Sequence, residues 1–295
     1  MTITVGFVSE KGGVGKTTSV YHIAVALNRY YKQRVLVVDT DYQRGGLTCR
    51  LVPSMLEGFR LGEVEDNTLY KSYRAIYSGQ NDLPKLSTRT IINGLDLVPS
   101  DPRLNTISVD KMPPPRHLRD SNKMLLKHLT LIDDSLSDIK QDYDYVLIDS
   151  HPDLHDLERA VIYACDFVVS PVKLDQQSSI GVPSTIEAIN DVNADVKEAI
   201  TIASKDRTFS ETKFLGAIGM MCRDYGASLK YSEQLIYNRL ARSCGIFENY
   251  VTEGDGLRGA VASGVSVYDV GGSNAERQSQ QFRNVTAELV AKSTI

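Results

Sequence analysis

Lys11-Gly12-Gly13-Val14-Gly15-Lys16-Thr17-Thr18 is the stretch whose reading decides the fold. It follows Thr2–Ser9 (TITVGFVS), where β-branched and apolar residues alternate as in a strand. It precedes a segment in which Val20, Ile23, Ala24 and Leu27 recur at helical spacing. The order strand, glycine loop, helix gives the loop physical meaning. Glycines at 12, 13 and 15 let the backbone curl so that successive N–H groups converge on an anion at a helix start. Lys16 is then expected to reach the β- and γ-phosphates of a nucleotide. Thr17 would offer its hydroxyl to Mg²⁺, and Thr18 would bond the α-phosphate. A lone Gly-Lys-Thr triplet would be weak evidence; flanked by a strand and a helix it is not.

Outward from the loop the same grammar continues. Arg34–Asp39 (RVLVVD) is a near-continuous apolar run, as expected of a parallel strand covered on both faces. Short apolar runs return at Leu95–Pro99, Tyr145–Asp149, Phe167–Pro171 and Leu215–Met220, separated by helix-length segments. Among those segments Met124–Ile139, Gly181–Val192 and Ser232–Cys244 have helical spacing. The expected fold is α/β: a doubly wound, mostly parallel sheet with helices on both faces. Pro113, Pro114 and Pro115 oppose both helix and sheet, so Met112–Arg119 reads as a surface loop within a single domain spanning residues 1–295.

Val146-Leu147-Ile148-Asp149 supplies the second half of a phosphate site, an apolar strand ending in a carboxylate that would hold Mg²⁺ through a water opposite Thr17. Asp39 ends an earlier strand, and Asp41 follows two residues on. Asp39 would support the metal shell or Lys16, and either residue would serve equally to end the strand.

Composition narrows the class. With 295 residues, 42% hydrophobic and 24% charged, the chain reads as an ordinary globular protein with a substantial core. No apolar stretch approaches the roughly 20 residues of a membrane-spanning helix, and the cytoplasm is the expected location. Cys49, Cys165, Cys222 and Cys244 form no C-x-x-C pair and are expected to be reduced. A net charge of −4 excludes global attraction to nucleic acid and leaves only a local basic patch.

The octapeptide KGGVGKTT resembles the deviant Walker A motif of the ParA/MinD family, in which a second lysine precedes the glycines. Val35–Thr48 (VLVVDTDYQRGGLT) is similar to the family's first switch and Asp144–Leu154 (DYVLIDSHPDL) to its Walker B strand and second switch. Weaker matches follow at Asp166–Pro171 and at Ala262-Ser263-Gly264 with Tyr268-Asp269. The resemblance implies an Mg²⁺-dependent ATPase whose two protomers sandwich two ATP molecules. It implies that Lys11 reaches across to the partner's phosphates and that Asp41 orients the attacking water, so that Lys11, Lys16 and Asp41 form the catalytic set. Two departures fall in the switches: Tyr42 stands where partition ATPases carry Pro, and His151 where Pro or Ala is common. His151, Asp153 and His155 invite a metal reading, but Pro152 disfavours a helix there and the reading is declined. The family's base-contacting Asn and Pro have no counterpart at Met220, Met221 or near Thr252, so no base contact is assigned.

Within the resemblance, the ATP-bound dimer sits on DNA or on membrane. Glu288–Ile295 has one Lys and no aromatic, unlike a membrane-binding amphipathic tail. Arg239 and Arg242 are spaced i, i+3 on one helix, with Lys230 just before it and Arg223 and Arg258 in neighbouring segments. These five are the candidate DNA contacts, in a region where acidic residues nearly balance the basic ones. The expected function is a homodimeric, nucleoid-associated partition ATPase that binds DNA nonspecifically and is stimulated by a ParB-type or cargo adaptor. ATP-dependent positioning of a protein cargo and an amide-forming synthetase on the same scaffold are the alternatives. A nitrogenase-type reductase would need paired bridging cysteines, and a tyrosine kinase of the P-loop type a C-terminal tyrosine cluster; the sequence has neither.

Overall fold

Strands β1 (Ile3–Phe7), β2 (Val35–Asp39), β3 (Arg89–Ile92), β4 (Leu95–Val98), β5 (Tyr145–Asp149), β6 (Phe167–Val172) and β7 (Lys213–Gly219) build one sheet in the order β3-β4-β2-β5-β1-β6-β7. The computed structural model describes residues 2–114, 117–152, 156–203, 207–226 and 228–294. Every pairing in the sheet is parallel except β3 with β4. The chain crosses from β1 over β5 to β2, and later from β5 over β1 to β6, so it winds outward in both directions from the centre. Ligands of such sheets bind at the carboxyl ends of the strands where the winding reverses. The register places Phe7 beside Asp149 and Asp39 on its other side at that end.

Both faces are dry because successive strand side chains point to opposite sides. Val35, Val37 and Leu147 face the helices Lys16–Tyr31 and Ser273–Ser293, packing with Val20, Ile23, Leu27, Phe282, Val285 and Leu289. Leu36, Val38, Val146 and Ile148 face the helices Leu118–Leu129, Leu131–Lys140, Asp156–Tyr163 and Gly181–Ala203. Each such fully buried aliphatic side chain contributes about 1.5–3 kcal/mol. This two-sided burial is why β2 and β5 read as unbroken apolar runs.

The doubly wound, mostly parallel α/β fold expected from the sequence is the one observed. Three local features differ. The antiparallel edge strand β3 was not expected, because Arg89 and Thr90 are polar and exposed; the Asn93-Gly94 turn, with Gly94 at φ 81°, joins it to β4. Met124–Ile139 is two helices broken at Thr130 rather than one. The loop read over Met112–Arg119 ends earlier, since a helix begins at Leu118; Pro115 lies outside the described residues. Cys165 and Cys222 are buried, Cys49 and Cys244 are half-buried, and all four are free.

Candidate functional site

The glycine loop leaves β1 at Phe7 and enters its helix at Lys16. Gly13 at φ 72° and Gly15 at φ 96° take left-handed conformations that a side chain would strain, and Gly15 caps the helix without any side-chain hydrogen bond. The first-turn N–H groups of that helix therefore keep their donors for another acceptor. No acidic side chain occupies the first turn. Lys16 is buried and folds back across the loop, its Nζ donating to the carbonyls of Ser9 at 3.0 Å and Lys11 at 3.2 Å. Val14 is buried beneath the loop, while Gly12 and Gly13 are exposed and Thr17 and Thr18 half-exposed. The Lys11 side chain lies half-exposed at the rim and makes no ion pair among the described residues.

Two carboxylates converge below the loop. Asp149 is fully buried, and neither of its oxygens has a hydrogen-bond partner among the described residues. Burial, and then the charge of Asp39, push its carboxyl well above the usual carboxylate range, while Thr17 and Lys16 pull in the other direction. A buried anion left this way is costly, so the pocket fits a divalent cation beside the Thr17 hydroxyl. Asp39 is pushed up to about 7 by burial, against the Thr48 hydrogen bonds that favour its charge. It accepts from Thr48 N at 2.7 Å, Thr48 Oγ1 at 2.6 Å and Asp41 N at 3.0 Å, which fixes the short helix Leu47–Leu51 and the first-switch backbone. Asp39 thus both ends β2 and anchors the segment that carries Asp41.

The two segments that resemble the switches meet at their roots and again farther out. Thr40 N and Oγ1 donate to the carbonyl of Asp149, and Ser150 Oγ donates to that of Phe7. Farther out, Asp41 Oδ1 accepts from Gln43 N at 3.0 Å and lies 3.9 Å from His151 Nε2. Gln43 Nε2 stands 3.1 Å from His151 Nε2. The Tyr42 ring is stacked on His151, with centroids 4.0 Å apart and planes at 17°. Asp153 and His155 lie outside the described residues.

A cleft of about 390 Å³ opens beside Gly15 and Thr18, walled by Met220, Met221, Gly254, Leu257, Val261 and Ala262. It is the part of the site that sequence reasoning missed. Its walls come from the end of β7 and from the helix Asp255–Ser263; the sequence pointed to Met220 and Met221 only as positions where the resemblance's base-contacting Asn is missing. Met221 sits at φ 52°, unusual for a residue with a side chain and consistent with a backbone held for function.

The five basic candidates divide. Arg223, Lys230, Arg239 and Arg242 share one unit, a small hairpin (Asp224–Tyr225 with Ser228–Leu229) leading into the helix Tyr231–Ser243. Lys230, Arg239 and Arg242 are exposed, and Arg223 is tied to Glu233 at 2.7 Å. Arg258 lines the apolar cleft instead and pairs with Glu253 and Asp255.

The sequence profile of the AAA domain family matches residues 2–202, more than half of the chain. A ParA family protein of Chlamydia trachomatis is 29% identical over 162 residues, 55% of this chain and 54% of that protein. The chain thus spans about half the length of the curated relatives it matches first. Among solved structures, an ATP complex of a McdA variant from Cyanothece superposes with a TM-score of 0.70 at 18% identity, covering 98% of this chain and 96% of that one. A plasmid partition protein of Borrelia burgdorferi bound to AMPPNP gives 0.68 at 19%, covering 99% and 100%. The fold, with its glycine loop between β1 and the helix Lys16–Tyr31, is that of the P-loop class of the deviant kind. The chain belongs to this AAA domain family and, within it, to the ParA/MinD-type ATPases.

Proposed function

We propose that the chain is an Mg²⁺-dependent ATPase that dimerises around ATP, binds DNA without sequence preference in that state, and releases it when an adaptor of the ParB or cargo type stimulates hydrolysis. The observation that supports this reading is the fully buried Asp149 carboxylate, with no hydrogen-bond partner among the described residues, below a glycine loop whose helix start has no side-chain cap. A triphosphate supplies the acceptor for the loop and a metal supplies the counter-charge for the carboxylate.

In the proposed mechanism the N–H groups from Gly12 to Thr18 cradle the phosphates, and Lys16 swings from the Ser9 and Lys11 carbonyls onto the terminal phosphates. Thr17, and Asp149 through a water, would hold Mg²⁺, with Asp39 supporting from behind; the ion would neutralise charge on the phosphate oxygens. Thr18 binds the α-phosphate, and the base fills the cleft bounded by Met220 and Leu257. Asp41 orients the attacking water, and Lys11 neutralises transition-state charge on the partner's nucleotide. Lys230, Arg239 and Arg242, with Arg223 and Arg258 at the margins, grip DNA phosphates. The protein acts in the cytoplasm on the nucleoid. Among the described residues no helix is long and apolar enough to cross a membrane.

Binding to random duplex DNA at several salt concentrations, with and without ATP, tests the reading. An ATP-dependent isotherm that weakens steeply with salt and ignores sequence is expected, whereas equal binding without ATP contradicts it.

A further inference from the structure

Tyr42 and His151, the two departures that fall within the segments resembling the switches, are in contact. Neither departure predicts the other in sequence. In the fold they form a near-parallel stack with centroids 4.0 Å apart. Tyr42 also packs against the core layer under the first switch, so the stack rests on a fixed floor. His151 is 7% exposed, and its ring edge faces Gln43 Nε2 at 3.1 Å and Asp41 Oδ1 at 3.9 Å.

We propose that the Tyr42–His151 stack is a latch that makes His151 a positioning residue for Asp41, coupling the first switch to the second during ATP hydrolysis. The inference rests on the reading of Asp41 as the water-orienting carboxylate. Asp41 is pinned at its root by Asp39, which accepts from the Asp41 N–H, and at its side chain by Gln43 N. Neither bond ties it to the second switch. The ring edge of His151 provides that tie, and the Tyr42 ring fixes the plane in which that edge lies. Movement of the segment after β5 is then transmitted to Asp41 by rigid ring contact. None of the three residues lines the base cleft or belongs to the glycine loop, so the latch acts on turnover and not on nucleotide affinity.

The test is a double-mutant cycle on ATP hydrolysis using Tyr42→Ala, His151→Ala and the double variant, with His151→Phe as the variant that keeps a stacking ring and loses the nitrogen. Each alanine variant is expected to lower kcat about tenfold, with KM and ATP affinity within about twofold of the parent chain and the double variant no worse than the worse single. His151→Phe keeps the melting temperature of the parent chain and loses kcat as His151→Ala does, which a merely structural ring would not do. An additive double variant, an unchanged kcat, or a loss confined to KM overturns the latch. If the parent chain binds ATP without hydrolysing it, the parent reading fails instead. The latch is then judged by amide exchange of residues 39–48, which either single variant should speed and the double should speed no further. Exchange that is unaffected, or additive in the double, overturns it.

Discussion

Lys16 Nζ donates to two loop carbonyls, so replacing it removes the proposed phosphate ligand at modest structural cost. Lys16→Ala is expected to abolish MgATP binding in a calorimetric titration while melting within a few degrees of the parent chain; retained affinity would contradict the phosphate assignment. A second prediction at this scale concerns His128, fully buried with Nε2 3.2 Å from the Tyr77 hydroxyl and Nδ1 without a partner among the described residues. Burial lowers its imidazole to about 4. The folded state therefore refuses a proton that the unfolded chain accepts. The stability contributed is present above about pH 6.5 and is lost as pH falls toward 4, by about 3 kcal/mol at the limit. Asp39 and Asp149, raised by burial, act with the opposite sign, so the test is a difference: His128→Gln should lose less stability than the parent chain between pH 6.5 and 4.5 in urea melts. Equal pH slopes would show that His128 titrates normally. The glycine loop and Asp149 were legible in sequence because each is a contiguous motif whose neighbours in the chain are its neighbours in space. The partnership of Tyr42 with His151 was not, since each departure alone reads as a loose switch and only the pairing of β2 with β5 brings them together.

Among the elements, the helix Ser273–Ser293 shows how burial decides a role that composition leaves open. Its residues Phe282, Val285 and Leu289 are fully buried against the phosphate-loop helix, and Phe282 stacks on His22 with centroids 4.8 Å apart. Tyr268, just before it, donates to the carbonyl of His22. A helix used this way is core and braces the helix Lys16–Tyr31 that follows the glycine loop. Phe282→Ala should cost about 3–5 kcal/mol in chemical denaturation, through lost contact and the cavity left behind; a cost below about 1 kcal/mol would mean the helix is only loosely docked. The strands of the parallel sheet were legible because two-sided burial makes them continuous apolar runs. The edge strand β3 was not, since it buries little and its composition is that of a turn. The cleft beside Gly15 was hidden for another reason: Met220, Gly254 and Leu257 have no fixed spacing, and only the return of the chain beside β7 assembles them.

For the whole molecule, the site is built at one end of the sheet, where the winding reverses, and one protomer holds every proposed nucleotide contact except the trans lysine. Lys11 sits half-exposed at that end, its charge uncompensated by any ion pair among the described residues, while Lys16 beside it is buried. In the proposed mechanism these two differently buried cations serve different nucleotides, Lys16 one held by this chain and Lys11 one held by a second copy. Under the proposed function, binding of ATP and association would be a single event, and the exposed basic residues of the helix Tyr231–Ser243 would be presented twice over on one assembly. Light scattering of the parent chain and of Lys11→Ala, each with a nonhydrolysable ATP analogue and Mg²⁺, measures this most directly. The parent chain should double in mass and Lys11→Ala should bind the analogue yet stay monomeric; a Lys11→Ala dimer of equal affinity would contradict the account.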